Sequence, residues 1–410
     1  MKTLKVLMLV PWFDEVPGGW TYFKEMALRL ADVGLEIIIV SPRATSNKRR
    51  EEAGGITVYR CSSVYFPQIP LLLTNPLDFL STLKEIIHKE KRIDLIYDVT
   101  SGVLPFSLFA KLFFKLKGVR LPLIIHMCGE LKDLKSKGLL SLLFELYLHM
   151  IARFCFAIAD KILLAGEKIG SRVLGFGAHR NKLKIVRVGL KYEDRLLRPH
   201  ILTKEEKVRL RSSIGLSEED FVVGYVGRLS SGKGLDVLLR AVAIVKNAIP
   251  ELRVLLVGDG GEREYLSALA SKLRISNITV FLGHSEDVLN LLQLMDVFIN
   301  LSESEAGISA SQLEAMRMGL PSIITPFTDI LDDKKHGIIV PFKAPQAVAD
   351  AILLLYRNET LRQLIGMNSS IKAQELLKLY TWKRYVDRVT KVFRDVMKAY
   401  VRKDCSRPFW

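Results

Sequence analysis

Cysteine is scarce: four residues in 410, at Cys61, Cys128, Cys155 and Cys405. They lie far apart and match no metal-ligand or redox spacing. That excludes a disulfide scaffold and a thiolate metal site, and implies reduced, mostly buried thiols in a cytoplasmic protein. Long apolar runs are missing too. Met1-Lys2-Thr3-Leu4-Lys5 leads into an apolar run of only about six residues, too short for a secretory leader. No stretch reaches the roughly 20 uninterrupted apolar residues of a membrane-crossing helix. Residues 139–151 come nearest, and Glu145 and His149 interrupt them. Low-complexity segments and short-period repeats are absent. So are a Walker loop, G-x-x-x-x-G-K-[ST], and any nucleic-acid recognition motif with interleaved stacking aromatics.

What the chain does have is a large core. Apolar residues make up 49% and charged residues 25%, which excludes disorder and fibrous repeats. Its length fits two domains. The net charge of +16 is uneven: residues 1–199 hold 31 Lys and Arg against 19 Asp and Glu. Such a field attracts nucleic acid, anionic lipid or a phosphorylated ligand.

Short apolar runs alternate with helix-period segments. In the first half, residues 6–10, 36–40, 56–60, 95–97, 123–126 and 161–165 read as strands. Residues 20–33, 77–89, 105–116 and 139–159 read as helices. The rhythm restarts with strands at 222–226, 254–257, 278–281, 297–300 and 322–325, and helices at 234–246, 262–273, 286–295 and 309–318. This predicts two similar doubly wound parallel-sheet lobes. A polar linker at 189–207 joins them, and a last helix at about 382–400 returns to brace the first lobe. In such sheets ligands sit beyond the carboxyl ends of the strands.

The segment from Gly224 to Gly234 reads GYVGRLSSGKG. A strand ends, a glycine loop follows and a helix begins. Glycines let backbone amides approach an anion, and the helix start adds a positive dipole. Arg228 and Lys233 supply two full charges suited to a diphosphate. A tight turn with solvated basic side chains is the plainer alternative. Gly18 and Gly19 open a helix after the first strand, which equally describes a simple turn. His126 ends a strand beside Glu130, as a catalytic group or as a satisfied core histidine. From Leu301 to Met316 a strand runs into an acidic, serine-rich loop and a helix starts near Ser309. Its free amides suit a phosphate, and Glu314 lies within reach of a ribose diol. An acidic cap region with one surface Glu gives the same residues.

Together these segments resemble the retaining GT-B glycosyltransferases of family four, also called group 1. Gly227-Arg228-Leu229 with Lys233-Gly234 resembles the family's phosphate loop, and Leu256-Val257-Gly258-Asp259-Gly260 its next strand and loop. Phe281-Leu282-Gly283 resembles its base-binding loop. Leu313-Glu314-Ala315-Met316 and Gly319-Leu320-Pro321 resemble the helix after the donor site. The resemblance implies GT-B architecture, two Rossmann-like α/β domains facing across a cleft. Residues 1–195 would bind the acceptor, 196–380 the nucleotide sugar, and 381–410 form the returning helix. It implies that Arg228 and Lys233 hold the donor diphosphate and Glu314 the ribose. Gly18 and Gly19 would approach phosphate and acceptor, and His126 the donor sugar. Gly227, Gly283, Gly307, Ile308 and Ser309 would line the donor site. No metal or cofactor is implied, only a UDP-, GDP- or ADP-linked sugar as co-substrate.

Two departures stand out. The family has two Glu separated by seven residues, and counting back from Glu314 gives Ala306. Glu305 taking over the role, a catalytically weakened relative, and an inactivating substitution all fit. Around residues 186–191 the family's Pro-Asn-Gly-Val-Asp is replaced by Arg187-Val188-Gly189-Leu190-Lys191.

Residues 105–120 read PFSLFAKLFFKLKGVR, with Phe106, Phe109, Phe113 and Leu116 on one stripe and Lys111, Lys115, Lys117 and Arg120 beside it. Lys132, Lys135 and Lys137 follow. Such a surface suits an anionic membrane and a lipid or lipid-phosphate acceptor at the inner face of the cell membrane. Buried sheet-packing helices with solvated lysines give the same pattern. Beside the transferase stand two other readings: a non-catalytic nucleotide-sugar-binding scaffold, which Ala306 favours, and a sugar-nucleotide epimerase.

Overall fold

The computed structural model describes residues 3–11, 21–42, 48–66, 71–100, 105–128, 139–190, 193–303, 308–328 and 330–405. The chain divides into two compact units. One comprises Met1–Val16, Trp20–Lys191 and Trp382–Trp410, the other Tyr192–Thr381.

In the first unit, chain order runs β1 (Lys5–Leu9), α1 (Thr21–Asp32), β2 (Glu36–Pro42), β3 (Arg50–Ala53), β4 (Ile56–Cys61), β5 (Ser63–Phe66), β6 (Leu71–Thr74) and α2 (Pro76–Glu90). It continues with β7 (Leu95–Thr100), α3 (Pro105–Leu116), β8 (Leu123–Met127), α4 (Leu139–Ile158), β9 (Lys161–Leu164), α5 (Lys168–Gly175) and β10 (Leu183–Ile185). The second unit holds α6 (Glu193–Leu197), α7 (Lys204–Ser213), β11 (Phe221–Val226), α8 (Leu235–Val245), β12 (Leu252–Val257), α9 (Arg263–Lys272) and β13 (Thr279–Gly283). Then come α10 (Val288–Leu292), β14 (Val297–Asn300), α11 (Ala310–Arg317), β15 (Ser322–Ile324), β16 (Ile338–Ile339), α12 (Pro345–Arg357) and α13 (Glu359–Leu377). The final helix, α14 (Trp382–Cys405), belongs to the first unit.

The first unit's main sheet has eight strands in the order β10-β9-β8-β7-β1-β2-β4-β3. All neighbours are parallel except β3 and β4. The second unit's sheet has six strands, all parallel, in the order β13-β12-β11-β14-β15-β16. Strand order reverses between β1 and β7 in one sheet and between β11 and β14 in the other. Such reversal points open a crevice at the strands' carboxyl ends.

Continuous apolar strands need helices on both faces, and that is what the sequence supplies. Val6, Leu7 and Met8 of β1 have no exposure, nor have Val254, Leu255 and Leu256 of β12. Caps define the helix starts: Asn75 accepts from the Leu77 amide ahead of Pro76, and Thr203 with Glu206 closes a capping box on α7. Helix α14 lays Tyr385, Val389, Val392 and Phe393 into the first unit's core.

Several elements went unread in the sequence. Strand β3 is Arg-Glu-Glu-Ala, a charged antiparallel edge strand without apolar alternation. The β5–β6 hairpin and the short edge strand β10 are too brief to carry a period. Helix α10 covers only 288–292 of the 286–295 expected. The aromatic stripe on α3 splits: Phe106 and Phe113 are buried, while Phe109 and Leu116 stand out with Leu112. Four aromatic and aliphatic positions on one arc cannot reveal from sequence which of them the sheet covers.

Candidate donor site

Three loops of the second unit are laced together beyond the carboxyl ends of β11, β12 and β13. The Gly227 amide donates to the Val257 carbonyl (2.9 Å), and the Leu229 amide to the Asp259 carbonyl (3.0 Å). Glu262 returns a bond from its amide to Leu229 O (3.0 Å), and the Gly258 amide donates to Gly283 O (2.7 Å). Glycine is required where these backbones meet. A Cβ on Gly258, which has φ +130°, would lie 2.0 Å from the Gly227 carbonyl oxygen. Gly234 starts α8 at φ +68°, and a Cβ there would lie 2.6 Å from Leu301 O. The sequence-predicted Gly227, Arg228, Lys233 and Gly283 therefore belong to one connected rim, with the Arg228 side chain exposed.

The fourth loop, after β14, joins the rim through side chains. Lys233 Nζ donates to Ser302 Oγ (3.4 Å). Ser302 Oγ donates to Asn300 Oδ1 (2.8 Å), and Asn300 Nδ2 donates to Ser309 Oγ (3.2 Å). Ser309 caps α11 by accepting from the Gln312 amide (3.2 Å). The Glu303 amide donates to Gly232 O (2.9 Å), tying the two loops by backbone as well. Ile308 is buried just ahead of the cap, and Glu314 is buried on α11, 6% exposed. Asn300, Ser302 and Thr325 were missed as site residues. Thr325 Oγ1 donates to Ser302 O (2.6 Å). An amide ending an otherwise apolar strand, Val-Phe-Ile-Asn, was the signal available.

A cavity of about 480 Å³ opens beside the same loop, lined by Ser230, Gly232, Arg240, Tyr265, Glu303 and Lys343 among others. It shares the loop with the rim, but none of Arg228, Lys233, Gly283 and Glu314 lines it.

His126 requires correction. It lies in the first unit's core with no exposure. Its Nε2 donates to the Val186 carbonyl (2.9 Å) and its Nδ1 accepts from the Tyr97 hydroxyl (2.7 Å). Burial lowers its pKa to about 4. Both nitrogens are committed to the protein, so this is a structural histidine rather than a group that contacts a donor sugar. On the opposite face of β7, Asp98 is 1% exposed with Oδ1 unpartnered, and burial raises its pKa to about 7. Gly18, Gly19, Glu130, Ala306, Glu305 and Gly307 lie outside the described residues. Among the described residues no His, Cys, Asp and Glu group could hold a metal ion, and no helix is long and apolar enough to cross a membrane.

Two Rossmann-like parallel-sheet units, one with a basic loop rim at its reversal point, define a GT-B glycosyltransferase fold. The comparisons agree. The Glycosyl transferases group 1 model matches residues 206–371, and the Glycosyl transferase 4-like domain model matches residues 17–189. The chain belongs to the group 1 glycosyltransferases. It is 24% identical to an uncharacterized glycosyltransferase of Methanocaldococcus jannaschii, over 96% of this chain and 99% of that one. It is 25% identical to the N-acetyl-alpha-D-glucosaminyl L-malate synthase of Bacillus anthracis, over 96% and 98%. Among solved structures, it matches Anabaena HepE in complex with UDP at a TM-score of 0.71 and 17% identity, covering 96% of this chain and 100% of that one. WaaG, a glycosyltransferase involved in lipopolysaccharide biosynthesis, matches at 0.72 and 18% identity, covering 94% and 99%.

Proposed function

We propose that the protein transfers a sugar from a nucleoside diphosphate sugar to an acceptor hydroxyl, with retention at the anomeric carbon and without a metal. The observation that carries this is the laced rim presenting Arg228 and Lys233 at the β11–β14 reversal point. In the reaction the bond from the anomeric carbon to the diphosphate oxygen breaks and the diphosphate leaves. The acceptor oxygen bonds to that carbon on the same face. Its proton passes to the departing phosphate. Arg228, Lys233 and the backbone amides of the rim stabilise the charge that develops on the leaving group, as preorganised electrostatics. Glu314 holds the ribose.

The acceptor is a lipid or lipid phosphate reached from an anionic membrane surface. Supporting this, Phe109, Leu112 and Leu116 are exposed on α3, and Leu146, Met150 and Phe154 are more than half exposed at four-residue spacing on α4. Lys115 and Lys117, the chain neighbours of Leu116, are exposed as well. An apolar face rimmed by lysines fits an anionic interface.

The test is release of free nucleotide from UDP-, GDP- and ADP-sugars by the purified chain, with the anomer of the freed sugar read by NMR. The reading expects release with the donor's own configuration, and the inverted anomer would overturn retention. The identity of residue 306 supports a second reading, a nucleotide-sugar-binding scaffold: nucleotide binding without release, restored to turnover by Ala306→Glu, would select it.

A further inference from the structure

Asn300 is 3% exposed at the end of β14, and it is bonded at both ends of its amide. Its carbonyl oxygen accepts the Ser302 hydroxyl hydrogen at 2.8 Å, and its NH2 donates to Ser309 Oγ at 3.2 Å. These two bonds fix the polarity of both hydroxyls. The Ser302 hydrogen is committed to Asn300, so the lone pairs of Ser302 Oγ are what faces the Lys233 ammonium at 3.4 Å. Ser309 Oγ accepts twice, from Asn300 Nδ2 and from the Gln312 amide. A hydroxyl has two lone pairs and one hydrogen. With both lone pairs used, the Ser309 O–H has one thing left to do, which is to donate, and among the described residues nothing accepts from it. Beside it stand the amides of Ala310 and Ser311, which open α11 and have no intrahelical acceptor.

We propose that Asn300 is a positioning residue of the donor site. It turns the Ser309 hydroxyl outward as a hydrogen-bond donor to a phosphate oxygen and, through Ser302, sets the Lys233 ammonium facing the same anion. This rests on the nucleotide-sugar reading above. It assigns the discriminating chemistry to a buried amide that touches no ligand. An aspartate in its place has the same shape but only accepts. It would draw the Ser309 hydrogen inward and add a negative charge beneath the anion.

The test is binding of UDP, GDP and ADP, measured calorimetrically on the full chain and on Asn300→Asp, Ser309→Ala, Ser309→Thr and the double variant Asn300→Asp with Ser309→Ala. Ser309→Ala should weaken the preferred diphosphate roughly tenfold, the value of one hydrogen bond to a charged group. Ser309→Thr keeps the hydroxyl and should bind like the parent. Asn300→Asp should weaken binding at least as much, and its loss should shrink in the Ser309→Ala background because the hydroxyl it acts through is gone. Parental affinity in Ser309→Ala, or fully additive losses, overturns the proposal and leaves the nucleotide-sugar reading standing. Should Asn300→Asp not fold, the Ala and Thr pair at 309 still decides. No binding of any diphosphate by the parent chain overturns both.

Discussion

The Tyr385 hydroxyl on the last helix lies 3.0 Å from the Tyr97 hydroxyl on β7, across 288 residues of sequence. A carbonyl only accepts, so His126 Nε2 carries the proton that goes to Val186 O, and its bare Nδ1 takes the Tyr97 hydrogen. Tyr385 must then donate to Tyr97. One directed chain links α14, β7, β8 and the segment after β10 in a buried core, where each bond is strong and each orphan costly.

Unequal losses follow from that direction. Tyr385→Phe removes only the last donor and should cost about 1 kcal/mol. Tyr97→Phe strands the His126 acceptor and the Tyr385 donor together, and should cost about 2–4 kcal/mol. Urea unfolding of both variants measures the difference. Equal losses would contradict the assigned direction.

Two buried groups of the first unit oppose each other in pH. Folding lowers the His126 pKa to about 4 by desolvation. The unfolded chain therefore takes up a proton that the fold refuses, and stability drains as pH falls from about 6.5 to 4. Folding raises the Asp98 pKa to about 7, again by desolvation, partly offset by Ser107. Here the fold keeps a proton the unfolded chain has lost, so stability drains as pH rises from about 4 to 7. Asp98→Asn removes the second effect. It should stabilise the protein at pH 8 by a few kcal/mol, on the order of 1.4 kcal/mol for every tenfold gain in proton affinity on folding, and leave stability rising with pH between 4 and 6.5. Urea midpoints from pH 4 to 8 read both slopes. A variant no more stable than the parent at pH 8 would show that folding does not raise the Asp98 pKa.

The laced loops make a sharp steric claim. Gly258→Ala places a methyl 2.0 Å from Gly227 O, at a φ of +130°. It should lower the melting temperature and weaken nucleotide binding together. Gly261→Ala, where nothing lies within 4 Å of the added Cβ, should leave both unchanged.

For the membrane surface, Leu116→Asp with Phe154→Asp should abolish flotation with phosphatidylglycerol vesicles. Lys115→Glu with Lys117→Glu should do the same at low salt. These positions are exposed, so unfolding free energies should stay within about 0.5 kcal/mol. Retained flotation would contradict an α3–α4 docking face.

Much of the fold was legible because buried parallel strands are short, uninterrupted apolar runs, as in Val6 to Leu9 or Val254 to Val257. The charged strand β3 was invisible because an edge strand answers to solvent, not to a core. Around the candidate site, the glycines from Gly227 to Gly234 were legible, since positive φ and close backbone approach need that residue type. His126 misled for the converse reason. A histidine closing a strand has the same sequence signature whether its ring faces a ligand or Tyr97. Asn300 stayed silent because its role is a pair of bond directions, which appear only when Ser302 and Ser309 are placed around it.

The central claim is that the rim holds a nucleoside diphosphate. Thermal unfolding of the parent chain with UDP, GDP and ADP, and of Arg228→Ala and Lys233→Ala, tests it most directly. A specific ligand raises the melting temperature by mass action. The account predicts a clear shift from one nucleotide class, lost in both variants. Absence of a shift from all three, or a shift undiminished in both variants, would contradict it.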